Sequence, residues 1–165
     1  MELYKWTGSN EKAAEFQNEI PDAQFILLAD AEETVLLTES ENAKLPEGFS
    51  AYHVLNAVGR LDGGTYAVFN NIPVTDEGRE IFEARFQNRA GMVEKEPGFG
   101  AIRVLRPLDA DTYIILTLWQ DEKSFKDWQQ SQAYGHAHAK RGTAEGIDKR
   151  PNIFPRPSFV KTYSK

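Results

Sequence analysis

The chain has no cysteine. That one absence removes disulfides, thiolate metal sites, thioether attachment of a prosthetic group and cysteine nucleophiles together, so any metal must be held by nitrogen or oxygen. No apolar run reaches the roughly 18 residues that a membrane-crossing helix needs. The opening MELYKWTGSNEKAAEF has neither a long apolar core nor a small-residue cleavage site, and the expected location is the cytoplasm. A formal charge of −6 and a pI near 5.1 argue against a nucleic-acid partner, because phosphate binding needs a net basic face. Neither a GXGXXG phosphate loop nor a GXSXG nucleophile elbow occurs. The paired acids Asp109/Asp111 and Glu32/Glu33 sit in turn-like contexts, read as solvated loop positions, and point to no hydrolase.

What is present is a regular alternation of strand and helix patterns. From residue 65, TYAVFNNIPVT is β-branched and aromatic, with Pro73 marking a bulge or end. Thr75 is placed to cap a helix whose apolar face is Ile81, Phe82, Phe86, Ala90 and Val93, and EKEPGFG stops it. AIRVLRP and TYIILTLWQ, parted by LDAD, read as a hairpin. A second helix starts after Asp121 with Phe125 and Trp128 on its apolar side, and SFVKTYS closes as a strand. The order β-α-β-β-α-β is that of ferredoxin-like folds. One face of such a sheet carries the helices and the other needs a cover.

The first 60 residues are patterned less clearly. LYKW, QFILLAD, TVLLTES and SAYHVLNAVG read as strands, NEKAAEFQNEI as a helix capped by Ser9 or Asn10, and Gly63-Gly64 as the boundary. The expected organisation is an α/β half at residues 1–64 that covers the open sheet face of a ferredoxin-like domain at 65–165 and so completes a barrel. An intrachain cover of this kind replaces a second subunit, which favours a monomer over a homodimer.

Among candidate site residues, Trp128 and His138 lie ten residues apart in FKDWQQSQAYGHAHA. An aromatic wall and an imidazole can clasp a flat, iron-bearing ligand. Ten residues of helix advance about 1000°, some 80° short of whole turns, so the two do not stack on one face of a straight helix; Gly135 offers a place to bend or stop it. His136 and His138 diverge by about 200° on a helix and cannot form an i, i+4 zinc pair; one histidine acting singly is the better reading, and near a helix end it serves the C-terminal dipole more often than it binds a metal. His53, in an alternating strand, reads as structural. Asn70 ends a strand, where asparagine is ordinarily a turn residue, yet an amide at a sheet edge can also donate a hydrogen bond without titrating. Lys140, Arg141, Lys149 and Arg150 form a local basic patch.

Taken together, TYIILTLWQDEKSFKDWQQSQAYGHAH and AVFNNIPVTDEGREIFEARFQNRAGMVEKEPGFGAIRVL resemble the haem-degrading monooxygenases of the antibiotic-biosynthesis-monooxygenase superfamily, the IsdG/HmoB type. The resemblance covers about 65 to 164, and Asn, Trp and His fall where the family pattern places them. It implies an α+β, ferredoxin-like dimeric α/β-barrel fold. It also implies haem as both cofactor and substrate, with O2 and an external electron donor, reductase or reductant, completing the reaction. By the same resemblance His138 is the axial iron ligand, Asn70 the hydrogen-bond donor to bound oxygen, and Trp128 the bulky contact that bends the ring. Apolar walls fall to Phe69, Phe86, Phe125 and Ile72, residues that serve a core equally well, and Arg89, Lys140 and Arg141 are candidate propionate partners. The N-terminal extension departs from the shorter family members, which form dimers. Competing readings are a cofactor-free quinol or phenol monooxygenase of the same superfamily and a haem carrier that leaves the porphyrin intact.

Overall fold

The computed structural model describes residues 1–87, 93–131 and 153–165. Eight strands close into one antiparallel barrel: β1 (Glu2–Gly8), β2 (Ile26–Ala29), β3 (Thr34–Ser40), β4 (Ser50–Gly59), β5 (Tyr66–Pro73), β6 (Phe99–Pro107), β7 (Thr112–Trp119) and β8 (Phe159–Ser164). Among the described residues three α-helices flank it: α1 (Asn10–Glu19), α2 (Arg79–Gln87) and α3 (Glu122–Gln129).

Around the barrel the order is β1-β3-β2-β8-β5-β7-β6-β4, with β4 returning to β1. Taken separately, the first four strands run β4-β1-β3-β2 and the last four β8-β5-β7-β6. Both are the order 4-1-3-2, so the chain is two ferredoxin-like sheets joined edge to edge, a repeat with no repeated residues. The first set covers the open face of the second by completing the barrel wall, and the inner faces of the two meet in a common core.

Period-two alternation decides what enters that core. Leu3, Leu28, Val35 and Leu37 from the first four strands pack with Ala67, Phe69, Leu105, Ile114, Leu116 and Leu118 from the last four, all fully or almost fully buried. Each buried leucine here contributes about 1.5–3 kcal/mol over exposure. Arg103 points inward among them, 5% exposed. It meets Glu39 of β3 through Nε at 2.7 Å and Nη2 at 3.2 Å, and donates further to the carbonyls of Val58 and Gly59. With its donors satisfied this way the buried charge is tolerable, and it ties the two sets of strands across the barrel interior.

The two junctions between the sets differ. β4 and β6 pair from Tyr52↔Pro107 to Gly59↔Ala101, broken by one bulge. β2 and β8 meet at Ala29↔Ser164 alone. At this second junction Glu33 accepts from the Tyr163 hydroxyl at 2.6 Å and lies 3.6 Å from Lys161 Nζ. The expectation of a solvated Glu33 is thus corrected: the β2–β3 turn turns it toward β8.

The caps follow the sequence. Ser9 Oγ accepts from Lys12 N at 3.1 Å and Asp121 Oδ1 from Ser124 N at 2.8 Å, satisfying first-turn amides that the helix cannot. Thr75 differs: its hydroxyl accepts from Gly78 N at 3.1 Å in a turn that precedes α2, and the helix begins at Arg79. No helix among the described residues is long and apolar enough to cross a membrane.

Candidate functional site

The outer face of the last four strands carries α2 and α3. Along β5, Ala67, Phe69 and Asn71 point into the barrel, while Val68, Asn70 and Ile72 point toward the helices. Ile72 joins a cluster under α2 with Val74, Phe82, Tyr113 and Ile153, against which Phe86 packs. Val68 joins a second cluster with Trp119 and Phe125 under α3, against which Trp128 packs. Asn70 stands between the two clusters. Its row across the sheet is Val160, Asn70, Ile115 and Val104. Asn70 is partly exposed and Val160 58% exposed, so the row opens to solvent at its β8 end. Among the described residues Asn70 makes no side-chain hydrogen bond, and a carboxamide so placed can donate to a ligand oxygen at any pH.

The α3 cluster is a stack of rings. Trp128, half-buried, lies over Trp119 with centroids 5.3 Å apart at 31°, and Phe125 meets Trp119 at 5.9 Å and Trp128 at 6.1 Å. Trp119 is fully buried, and its indole N–H donates to Thr117 Oγ1 at 3.0 Å. A buried, hydrogen-bonded indole is a rigid base, and it sets the plane that Trp128 presents. Trp119 carries no assigned role in the sequence, although it stands nine residues before Trp128 at the mouth of the same helix. Gly98 carries a positive φ of 81° directly beneath Ser124, so no side chain fits between β6 and the start of α3.

The α2 cluster is anchored by charge. Tyr113, fully buried, donates its hydroxyl to Glu83, which also accepts from Arg106 Nε at 3.0 Å. The Arg106 guanidinium first, then the Tyr113 hydroxyl, hold the Glu83 carboxyl below the usual carboxylate range against an opposing effect of burial. Burial, and Glu83 beside it, push the Tyr113 phenol upward. α2 is thereby fixed to β6 and β7.

The structure brings Asn70, Trp128, Phe86, Phe125 and Ile72 to one helix-covered face. Phe69 is corrected: it is 2% exposed, points into the barrel and meets Tyr163 edge-on at 5.4 Å, so it lines no site on that face. Phe125 is 7% exposed and supports Trp128 from behind. His138, together with Arg89, Lys140 and Arg141, lies outside the described residues. His53 bonds Glu2 at 3.2 Å through Nδ1, away from this face. No cluster of three or more potential metal ligands occurs among the described residues. A cleft of about 500 Å³ lined by Gly63, Gly64, Gly98, Phe99 and Gln120 includes neither Asn70 nor Trp128.

Three comparisons bear on this face. The family model described as antibiotic biosynthesis monooxygenase matches residues 65–140. A heme-degrading monooxygenase of Listeria monocytogenes is 25% identical over 156 residues, covering 93% of both chains. A heme-degrading monooxygenase of Halalkalibacterium halodurans is 35% identical over 83 residues, 48% of this chain and 71% of that protein. Among solved structures, one of a major regulator of staphylococcal pathogenesis superposes with a TM-score of 0.84 at 19% identity, covering 99% of this chain and 98% of that one. That likeness establishes the two-sheet barrel and nothing of the chemistry.

Proposed function

The chain belongs to the antibiotic biosynthesis monooxygenase family, and from that premise we propose that it is a haem-degrading monooxygenase working as a monomer in the cytoplasm. The observation that carries this reading is the placement of Asn70: a neutral donor without an intrachain partner among the described residues, on an open row between two apolar clusters, on the face that also presents Trp128. A flat, largely apolar macrocycle with one polar centre matches such a surface. The names of the Listeria and Halalkalibacterium relatives support the same assignment.

His138 would hold the haem iron, and Asn70 would serve an oxygen species bound there. When bound, haem supplies the iron at which dioxygen is activated and is itself the ring that is opened, with electrons from an external reductant. The chain's own contribution is orientation. Asn70 would donate its amide N–H to an oxygen species and, being neutral, would do so without pH dependence of its own. Trp128, packed at a fixed tilt on Trp119, would limit the positions open to a bound macrocycle. Phe86 and Ile72 exclude water on the α2 side.

Residues 1–64 and 65–165 are the two halves of this design, the first standing where a shorter relative would need a second subunit. The test is the absorption spectrum of haemin with the protein, followed after ascorbate is added in air. A Soret band that forms and then decays supports degradation; a band that forms and persists makes the chain a carrier; no band at all removes haem. His138→Ala should abolish the band, and Asn70→Ala should keep it while slowing its decay.

A further inference from the structure

Along β5 the inward positions run Ala67, Phe69 and Asn71, and the last of these sets a carboxamide, 8% exposed, in an apolar barrel wall. A buried amide costs free energy unless it is hydrogen-bonded, and an apolar side chain of the same shape would ordinarily serve the core as well or better. What Asn71 holds accounts for it. Its Nδ2 donates to the carbonyl of Phe69 on its own strand at 3.2 Å and to the carbonyl of Phe159 on β8 at 3.5 Å. Asn71↔Phe159 is the terminal rung of the β5–β8 ladder, and the next rung is Asn70↔Val160. Phe159 and Val160 are 50% and 58% exposed. Because β2 meets β8 only at Ser164, this end of β8 has β5 as its one paired neighbour among the described residues, and ladder ends of that kind open first.

We infer that Asn71 is a positioning residue for Asn70. From inside the barrel its amide staples the first rung of β8 onto β5, and so fixes the backbone from which the Asn70 amide is aimed at the opposite face. The two adjacent asparagines divide the work: one faces the ligand, the other holds the strand pair that carries it. The inference rests on the reading of Asn70 as the donor on the oxygen side of the haem.

Asn71→Leu removes the donor and keeps the volume, with Asn71→Val as the second variant should leucine fail to fold. Without haem, the thermal midpoint should stay or rise, since a buried amide has gone, while backbone amide exchange across Phe159–Thr162 accelerates about tenfold, the factor for one hydrogen bond of ordinary net strength. With ferrous haem and carbon monoxide, the C–O stretching band, which responds to a donor over the bound ligand, should move toward the Asn70→Ala position and broaden. A residue that served stability alone would lower the midpoint and leave the band in place; that result, or unchanged exchange at β8, overturns the inference. The two layers separate cleanly. If Asn70→Ala shifts the band and Asn71→Leu does not, the positioning role falls and the donor role stands; if Asn70→Ala itself leaves the band unmoved, the donor role falls too.

Discussion

The two sets of four strands share one topology and differ in what covers their outer faces. On the last four, α2 and α3 stand at opposite ends of the sheet and leave between them the row that contains Asn70. On the first four there is one helix, and the stretch between β3 and β4, where a second helix would belong, is a loop. The corresponding space is filled: Trp6 of β1 packs edge-on against Phe16 of α1 at 5.2 Å, Phe16 against Phe49 at 5.2 Å, and Phe49 stacks on Phe25 at 6.0 Å. Gly8 makes room for the Trp6 ring, which any β-carbon there would strike. Among the described residues, the outer face of one sheet keeps a row uncovered between its helices while its counterpart is closed by its own aromatics, so strand order sets the scaffold while side chains on the helix side decide what each face presents.

The most damaging test of this contrast is a pair of tryptophan truncations. Trp6→Ala should cost about 3–5 kcal/mol of stability, the usual penalty for a buried large aromatic, with haem affinity per folded molecule unchanged. Trp128→Ala removes a half-buried ring and should cost much less in denaturant unfolding while impairing haem turnover at least tenfold. Equal effects of both variants on both readouts would erase the distinction.

Next in size is the strut that joins the two sets. Arg103→Met leaves the Glu39 carboxylate without its partner inside the barrel, and single removal of this kind costs about 3–5 kcal/mol. Replacing both residues by apolar ones should recover most of the loss. A double variant as unstable as the single one would show that the bidentate pair is not what the barrel loses.

Helix caps give a smaller and cleaner comparison. Ser9→Ala should lower stability by about 1 kcal/mol through α1 and leave the haem spectrum alone. Asp121→Ala loosens α3 and with it Trp128, so it should change the Soret band position or the decay rate as well as the melting temperature. If the spectrum ignores Asp121→Ala, α3 does not position the ring.

The smallest effect is in pH. Glu83 has its carboxyl lowered by Arg106 and Tyr113 in the folded chain. A depressed value favours folding fully above the unfolded carboxylate pKa, about 4.3, and the gain is lost as pH falls through the folded value. Wild type should therefore lose stability on acidification below about pH 4.5 more steeply than Glu83→Gln, measured by urea midpoints between neutral and acid pH. Parallel curves would remove Glu83 as the acid-sensitive anchor of α2.

Much of this was legible in the residues. Alternation located every strand, and Ser9 and Asp121 announced their caps because their side-chain oxygens are the right length to meet first-turn amides. Alternation gives two faces without saying which is the barrel interior, and for that reason Phe69 was expected at the porphyrin and lies in the core, while Asn70, one residue on, faces outward. The internal repeat was invisible because it lives in strand order and not in any recurring residue. Glu33 read as solvated because nothing local to the turn foretells that Tyr163, 130 positions later, folds beside it. Trp119 and Asn71 were passed over for a related reason: their work depends on what packs across the strand.

On the proposed function, haem binds at one face only, that of the last four strands. Titration of the protein with haemin, followed at the Soret band, tests it most directly. Saturation at one haem per chain is expected, with the band displaced in Trp128→Ala and unaltered in Ser9→Ala; saturation at two, or a spectrum indifferent to Trp128, would rule out a single haem site on this face.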